Sequence, residues 1–174
     1  MSIKRLPLEP LTRDRFASFG DVVEIGGKQG FQINDGMARR YHDLAHIDVA
    51  REHGRPIVSI LTTRPNTFPF TVKCVQRYPL SSQAFIPLTG CPFVVVVAEE
   101  RNADKPKRLS AFITDGTQGV NYRPGTWHHT LIVPDREAAF LVIDRGGPGE
   151  NCDQHWFEEA DRPVLIHADA TEEG

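Results

Sequence analysis

Two adjacent histidines follow a glycine-marked turn in the segment GVNYRPGTWHHTLIVP, residues 119–134. Pro fixes the backbone angle φ and Gly supplies the freedom to reverse direction, so Arg123-Pro124-Gly125 predicts a turn. The run from Trp127 to Val133 is rich in β-branched and aromatic residues and predicts a strand. This segment is therefore the first place to look for chemistry in the chain.

Neighbouring side chains of a strand point to opposite faces, which separates the two histidines. His128 shares a face with Thr130 and Ile132, whereas His129 shares the more apolar face with Trp127. An imidazole and a hydroxyl on one face are typical of a pocket wall, and His exchanges protons near neutral pH. A one-residue slip in strand register would exchange His128 and His129 at the pocket.

Length and composition predict one globular domain spanning residues 1–174, since the chain is 40% hydrophobic and 25% charged. The net charge of −3, without any concentration of Lys and Arg, argues against a nucleic-acid partner. The N-terminus lacks the apolar core of a signal peptide, and the longest apolar run, CPFVVVVA, is too short to cross a bilayer. We therefore expect a cytoplasmic protein with no membrane association. Cys74, Cys91 and Cys152 are too widely separated to predict a disulfide framework or a metal clip.

Short β segments separated by turn residues dominate the chain from residue 56 onward and predict an all-β sandwich or barrel. The segments are PIVSILTT, FTVKCVQRY, QAFIPL, FVVVVAEE, LSAFITD, TWHHTLIV and AAFLVID. Val94 to Val97 are apolar on both faces, as expected of a central covered strand. Thr12 can cap a short helix through Ser18, and a last strand is predicted from Val164 to His167. Residues 100–110 predict a solvated hairpin connection.

Asn34-Asp35-Gly36 is a strong turn signal, and a dense polar and aromatic cluster, Arg40 to Asp43, follows it. On residue types alone this cluster fits a solvated strand or loop as well as a binding element.

Gly125 and His128 have the spacing of the second cupin motif, in which a metal-binding His follows the Gly of a turn. Gln83 and Gly90 resemble the Glu and Gly of the first cupin motif. The two histidines of that motif would fall near Gln76 and Tyr78, so His128 is the only good metal ligand of the set. The resemblance implies a cupin-like β-barrel of the jelly-roll type with one or two short helices.

A closer resemblance combines INDG, RYHDLA, QAFIP, AFITDGTQGVNY, WHH, and DRGG with NCD, all within residues 31–153. Together these motifs resemble the ureidoglycolate lyase family of allantoin degradation. The resemblance implies a homodimeric carbon–nitrogen lyase that splits ureidoglycolate into glyoxylate and urea. It also associates the family with nickel or another divalent metal, which the ligand inventory does not independently support.

Cleavage of ureidoglycolate requires a base for the hydroxyl proton and an acid for the departing nitrogen. We expect His128 to be one of them, with Tyr122 or His42 as the second proton-transfer group. His129 is assigned to the surroundings of the substrate, as support for the site or as a dimer contact.

The substrate carboxylate needs a cation, and Arg145 and Arg40 are the best candidates, ahead of Arg123. Asn121 and Gln83 carry amides that can pair with the urea end.

Two other functions fit the same residues. One is another cupin-type enzyme, a metal-dependent isomerase or dioxygenase, against which the missing metal ligands count. The other is a non-catalytic barrel that binds a small metabolite acid, because a fold does not fix a function. The sequence also leaves open a hydrolytic outcome, the substrate stereochemistry and the dimer interface.

Overall fold

The structure, a computed structural model, describes residues 4–99 and 104–166, and it is built almost entirely of strands. The strands are β1 Arg5–Leu6, β2 Leu8–Pro10, β3 Gly20–Val23, β4 Phe31–Ile33, β5 Ala38–Arg40, β6 Arg55–Thr63, β7 Phe70–Thr71, β8 Cys74–Arg77, β9 Gln83–Pro87, β10 Val94–Ala98, β11 Leu109–Ile113, β12 Gly119–Tyr122, β13 Ala138–Gly146, β14 Asp153–Trp156 and β15 Val164–Leu165. One α-helix, α1 (Arg13–Phe16), and two 3-10 turns, Arg51–His53 and Glu159–Asp161, complete the elements. The prediction of an all-β fold is confirmed.

The largest sheet has five strands in the order β3-β12-β9-β13-β6, all antiparallel to their neighbours. Facing it are β2-β11-β10 and the pair β8-β14. These two groups are joined by residues 128–132, which make single bridges to Gln76, Val97 and Val94. A small sheet, β1-β15-β7, and the separate hairpin β4–β5 lie outside this pair of layers. The described sheets do not close into a hydrogen-bonded barrel.

Two apolar clusters hold the layers together, and β10 contributes to both. Val95 and Val97 belong to the cluster that also contains Phe85, Phe140 and Tyr122. Val94 and Val96 lie on the other side, with Trp127 and Leu165. Because successive side chains of a strand alternate, this confirms the prediction that Val94 to Val97 form a central strand covered on both faces.

Local turn and cap signals were predicted well. Thr12 caps α1, accepting a hydrogen bond from the backbone N–H of Arg15 at 3.3 Å. The Asn34-Asp35-Gly36 turn joins β4 to β5, and all three residues have positive φ. Gly125, in the predicted turn before the histidines, has φ of 78°, which glycine tolerates at little cost.

The strand predicted from Trp127 to Val133 is wrong as a regular element, because these residues make only isolated bridges. Alternation fails after Thr130: Ile132 packs with Trp127, whereas Leu131 and Val133 pack in the opposite cluster. A one-residue slip at Thr130–Leu131 explains this, since one extra residue exchanges the two faces. The histidines precede the slip, so His128 keeps its predicted face.

The remaining differences are at element ends. Gly119–Tyr122 forms β12, a central strand that the sequence pattern did not single out. The last strand ends at Leu165, and His167 lies outside the described residues, as do residues 100–103 of the polar loop. Among the described residues, the helices are all too short to span a bilayer.

Candidate active site

A cavity of about 300 Å³ lies between the five-stranded sheet and the segment that carries His128. Four strands and the connecting segment supply the lining. The residues are Ser59, Ile60 and Leu61 of β6, Gln76 of β8, Gln83 and Phe85 of β9, Val142 and Asp144 of β13, and His128, Thr130 and Leu131 of the connecting segment. The lining is largely apolar, with a few convergent polar groups, which is the usual make-up of a small-molecule site.

His128 is the buried imidazole of this cavity, with 2% of its surface exposed. Its Nδ1–H donates to the carbonyl of Thr126 at 2.8 Å, which leaves Nε2 without a proton in the neutral ring. The Gln83 Oε1 atom lies 3.2 Å from Nε2, and this acceptor can bond to Nε2 only when that nitrogen is protonated. The ring is stacked on Tyr122 at a centroid distance of 4.0 Å, and Tyr78 lies 5.8 Å away on another side. Packing and one backbone hydrogen bond therefore fix both the ring plane and its tautomer.

Burial lowers the pKa of His128 to about 4, because the charged imidazolium is poorly solvated inside the protein. The Thr126 carbonyl opposes this shift by favouring the protonated ring, but it does not outweigh desolvation. His128 is consequently neutral at physiological pH, and its open nitrogen can accept a proton or a hydrogen bond.

Asp144 places a carboxylate near this imidazole. One of its oxygens, Oδ2, accepts from the Gln83 amide at 3.5 Å, and the other, Oδ1, is buried without a hydrogen-bond partner among the described residues. A buried carboxylate oxygen without a donor is costly unless a ligand or water supplies one. Asp144, Gln83 and His128 thus form a connected polar row at the cavity.

The sequence analysis did not identify Asp144 as a site residue, although a signal for it exists. Strand alternation in AAFLVID puts Phe140, Val142 and Asp144 on one face. Asp144 is the single acid at the end of an apolar row that faces the core. That pattern could have identified it as a site residue.

Tyr78 adds a hydroxyl to the same region. It forms side-chain hydrogen bonds with Cys152 and Gln83, and burial is the main cause that raises its pKa to about 12. Tyr78 is therefore a neutral phenol at physiological pH that contacts Gln83.

The donor set around the cavity does not fit a transition metal. Among residues 4–99 and 104–166, no three His, Cys, Asp or Glu side chains are close enough to hold an ion together. The cupin ligand positions are occupied by Gln76, Tyr78 and Gln83, and neutral amides are poor ligands for nickel compared with imidazole or carboxylate. We assign no chemical step to a metal.

Two predicted site residues support the cavity from outside its lining. Tyr122 is fully buried, burial raises its pKa, and its hydroxyl has no hydrogen-bond partner among the described residues. Asn121 points to the other side of the sheet, where its amide donates to Asp21 Oδ2 and to the His46 carbonyl, each at 2.9 Å.

Arg145 is committed to the backbone. Its guanidinium donates to the carbonyls of Arg51 at 2.9 Å, Glu52 at 3.0 Å and Pro148 at 2.7 Å. These bonds hold the 3-10 turn in which Glu52 and His53 have positive φ. The side chain is not part of the cavity lining.

Arg40 and His42 lie on or just after the β4–β5 hairpin, and both are exposed. The His42 ring contacts Phe31 edge-on at 5.0 Å. His129 packs edge-on against Phe70 at 5.4 Å, and burial lowers its pKa. Arg123 is exposed and lies in a surface depression beside Asp21. None of these four residues lines the cavity.

Comparisons with known proteins agree on one family. The family model described as ureidoglycolate lyase matches residues 3–164. The chain is 45% identical to the ureidoglycolate lyase of Pseudomonas syringae pv. tomato, covering 94% of this chain and 96% of that protein. It is 49% identical to the ureidoglycolate lyase of Burkholderia mallei, covering 91% and 92%. Among solved structures, a dTDP sugar isomerase from Desulfovibrio desulfuricans G20 has a TM-score of 0.45 at 14% identity, covering 82% of this chain and 85% of that chain, which is too weak a likeness to bear on function.

Proposed function

This chain belongs to the ureidoglycolate lyase family, and we propose that it cleaves ureidoglycolate to glyoxylate and urea in the degradation of allantoin. The observation that carries the proposal, besides family membership, is a buried neutral imidazole whose Nε2 faces a small cavity. Such a group can take a proton from a hydroxyl at physiological pH.

The reaction is an elimination that consumes no water. The central carbon of ureidoglycolate carries a carboxylate, a hydroxyl and a ureido nitrogen. The O–H bond breaks and its electrons form the carbonyl of glyoxylate, while the C–N bond breaks and its electrons go to the departing nitrogen. That nitrogen needs one proton to leave as urea, so the hydroxyl proton and the acquired proton balance.

His128 can serve both halves of this proton transfer. Its Nε2 receives the hydroxyl proton, and in the resulting imidazolium the Gln83 Oε1 atom, 3.2 Å away, accepts a hydrogen bond from Nε2–H. Because burial favours the neutral ring, the imidazolium readily gives up its proton, and the departing nitrogen is its recipient. One positioned proton transfer of this kind contributes about 10²- to 10⁴-fold to the rate.

The urea end of the substrate fits the acceptors beside His128. A ureido group offers several N–H donors, and the buried Oδ1 of Asp144 receives none from residues 4–99 and 104–166. Gln83 and Gln76 add amides that can donate to the ureido carbonyl as well as accept. We therefore assign Asp144, Gln83 and Gln76 to the urea end, with the hydroxyl facing Nε2.

We further propose a homodimer that acts in the cytoplasm. The family resemblance supports the dimer, and an exposed apolar sheet face is consistent with one. Three free cysteines favour a reducing compartment. No basic surface on the scale that nucleic acid requires is indicated by the composition.

Product analysis tests the proposed reaction. Racemic ureidoglycolate is incubated with the purified protein, and glyoxylate, urea and ammonia are measured over time. We expect glyoxylate and urea in equal amounts, with half of the racemate consumed if one enantiomer is used. Ammonia in place of urea would make the protein a hydrolase, and saturable binding that returns the substrate unchanged would make it a binding module.

A further inference from the structure

The cavity lacks the cation that its proposed substrate requires. Among the described residues that line it, none is Lys or Arg, and its one charged side chain is the acid Asp144. A substrate carboxylate placed there would face a second negative charge without compensation, which disfavours binding. Since this argument concerns the substrate carboxylate, it rests on the proposed function.

Cationic and aromatic residues are instead exposed on the β4–β5 hairpin. Arg40 pairs across the hairpin with Phe31, whose surface is 44% exposed, and the His42 ring packs on Phe31. The Arg39 guanidinium donates to the Gly30 carbonyl at 3.2 Å, whereas the Arg40 side chain has no hydrogen bond or ion pair within residues 4–99 and 104–166. Met37, near the hairpin tip, is 87% exposed.

The hairpin is anchored at the sheet edge opposite β6, two strand spacings, roughly 10 Å, from β9, the nearest strand of the cavity lining. The chain leaves the sheet at the end of β3 and forms the hairpin. It comes back to β3 after the hairpin, where the His46 N–H donates to Asp21 at 3.0 Å. The strand β3 is one edge of the five-stranded sheet, and β6, which borders the cavity, is the opposite edge. Four strand spacings, roughly 19 Å, separate the two edges.

The outer face of the same sheet carries an apolar patch formed by two cross-strand rows. One row is Ile86, Leu141 and Ile60, and the other ends in Ile143 and Val58. Ile60 is 61% exposed and Val58 is 66% exposed, next to the β6 edge. Exposed aliphatic rows of this kind mark an interaction surface.

We propose that two copies pack through this patch, and that Arg40 of the partner subunit binds the substrate carboxylate in each cavity. Packing two such sheets face to face about a two-fold axis parallel to the strands sets β3 of one copy over β6 of the other. The hairpin of each copy then reaches the β6 edge of its partner, where the cavity lies. The positive hairpin and the acidic cavity are complementary in charge, and a second copy supplies both a cover for the patch and the missing cation.

Complementation between two variants tests this arrangement, assayed at ureidoglycolate concentrations well below the wild-type KM, where each variant alone has little activity. Arg40→Ala and His128→Gln are co-expressed with different affinity tags, and mixed dimers are isolated by purification on both tags. In a mixed dimer one site carries both substitutions and the other carries neither, so we expect about half of the wild-type activity per dimer. If the hairpin served its own cavity, each site would carry one substitution and the mixed dimer would be inactive.

Single variants separate binding from folding. Arg40→Ala is expected to raise KM for ureidoglycolate by about 10- to 100-fold with a smaller change in kcat, since a charge-assisted pair is removed. Arg40→Lys should recover part of this loss. Arg108→Ala, which removes an exposed arginine elsewhere on the surface, is the matched control and should leave KM unchanged. Val58→Asp, at a patch residue that does not line the cavity, should yield a folded monomer with the same defect as Arg40→Ala.

Three results would overturn the inference while leaving the lyase assignment intact: an inactive mixed dimer, wild-type KM in Arg40→Ala, or full activity in a monomeric Val58→Asp protein. Failure of the wild-type protein to form glyoxylate would instead contradict the proposed function, and the inference with it.

Discussion

The cavity and the β4–β5 hairpin divide the polar chemistry of the molecule between them. The cavity holds a buried imidazole and an acid among aliphatic walls, without a described cation. The hairpin holds exposed Arg39, Arg40 and His42. The His128 imidazole is enclosed, where burial lowers its pKa, and the groups that attract an anion are outside, where they remain solvated until a ligand or partner arrives.

This difference shows that the hydrogen-bond donors and charges missing from a cavity indicate which ligand it binds. Burial makes His128 neutral, and Asp144 has one buried oxygen that no described residue pairs, so the cavity suits a ligand that donates hydrogen bonds. A ureido group meets that need, but a carboxylate on the same molecule does not. The cation must therefore be supplied by another element.

The largest expected effect is the loss of turnover when His128 is replaced. Its absence would contradict the contrast between the catalytic cavity and the exposed hairpin. His128→Ala should lower kcat by about 10²- to 10⁴-fold while retaining the fold, because the proton-transfer group is lost. Because the ring is buried, His128→Ala leaves a void in the core. His128→Gln leaves a smaller void and serves as a second variant. His53→Asn, at an exposed position with positive φ, is the control and should keep wild-type turnover. Turnover near the wild-type rate in both His128 variants would remove the catalytic assignment.

Asp144 tests whether the enclosed acid binds the urea end. Asp144→Asn keeps the size of the side chain but removes its charge, and we expect kcat/KM to fall by about 10- to 100-fold, the usual value of a hydrogen bond to a charged group. The exposed Asp161→Asn is the matched control. If Asp144→Asn bound ureidoglycolate more tightly, the acid would be opposing the substrate carboxylate rather than holding the urea end.

The buried imidazole also predicts a pH dependence of stability. The pKa of His128 is lowered in the folded protein, so the unfolded state binds the extra proton first as pH falls below about 6.5. The free energy of unfolding should decrease between pH 6.5 and about 4 by on the order of 3 kcal/mol from this group. Urea unfolding at several pH values should show a shallower loss in His128→Gln than in the wild-type protein. If the free energy of unfolding had the same pH dependence in both proteins, His128 would not be the source of this pH dependence.

Arg145 sharpens the contrast between binding and structural cations. Removing the hydrogen bonds to three backbone carbonyls in Arg145→Ala should destabilise the protein by about 1 to 3 kcal/mol, with little change in KM. Thermal unfolding and steady-state kinetics of the same preparation measure both quantities. A large rise in KM at unchanged stability would instead make Arg145 the carboxylate-binding residue.

The smallest expected effect is that of a metal. Because the donor set around His128 does not fit nickel, prolonged treatment with a chelator should leave turnover unchanged, and added nickel should not raise it. Loss of activity that only nickel restores would contradict this assignment.

The sequence predicted the parts of the fold that local rules govern. The Thr12 cap, the Asn34-Asp35-Gly36 turn and the doubly covered Val94–Val97 strand each depend on a few neighbouring residues. The slip at Thr130–Leu131 was not predictable in the same way, because it depends on which sheet each bridge joins.

The same distinction applies to the site. His128 could be predicted because its turn and spacing are local signals. Asp144 was missed, although strand alternation pointed inward, because an acid next to Arg145 resembles a surface pair. The environment that makes Asp144 informative, a buried oxygen beside Gln83, arises only when β9 and β13 pair.

The most direct test of the account is the protonation state of His128 itself. In protein labelled with ¹⁵N-histidine, NMR spectra recorded from pH 8 to pH 4 report the tautomer and pKa of each ring, and His128→Gln identifies the His128 signals. The account predicts a neutral ring protonated at Nδ1, with an unprotonated Nε2 that titrates only near pH 4. A ring protonated at Nε2 at neutral pH, or one that titrates near pH 6.5, would contradict a buried neutral imidazole as the base of the cavity.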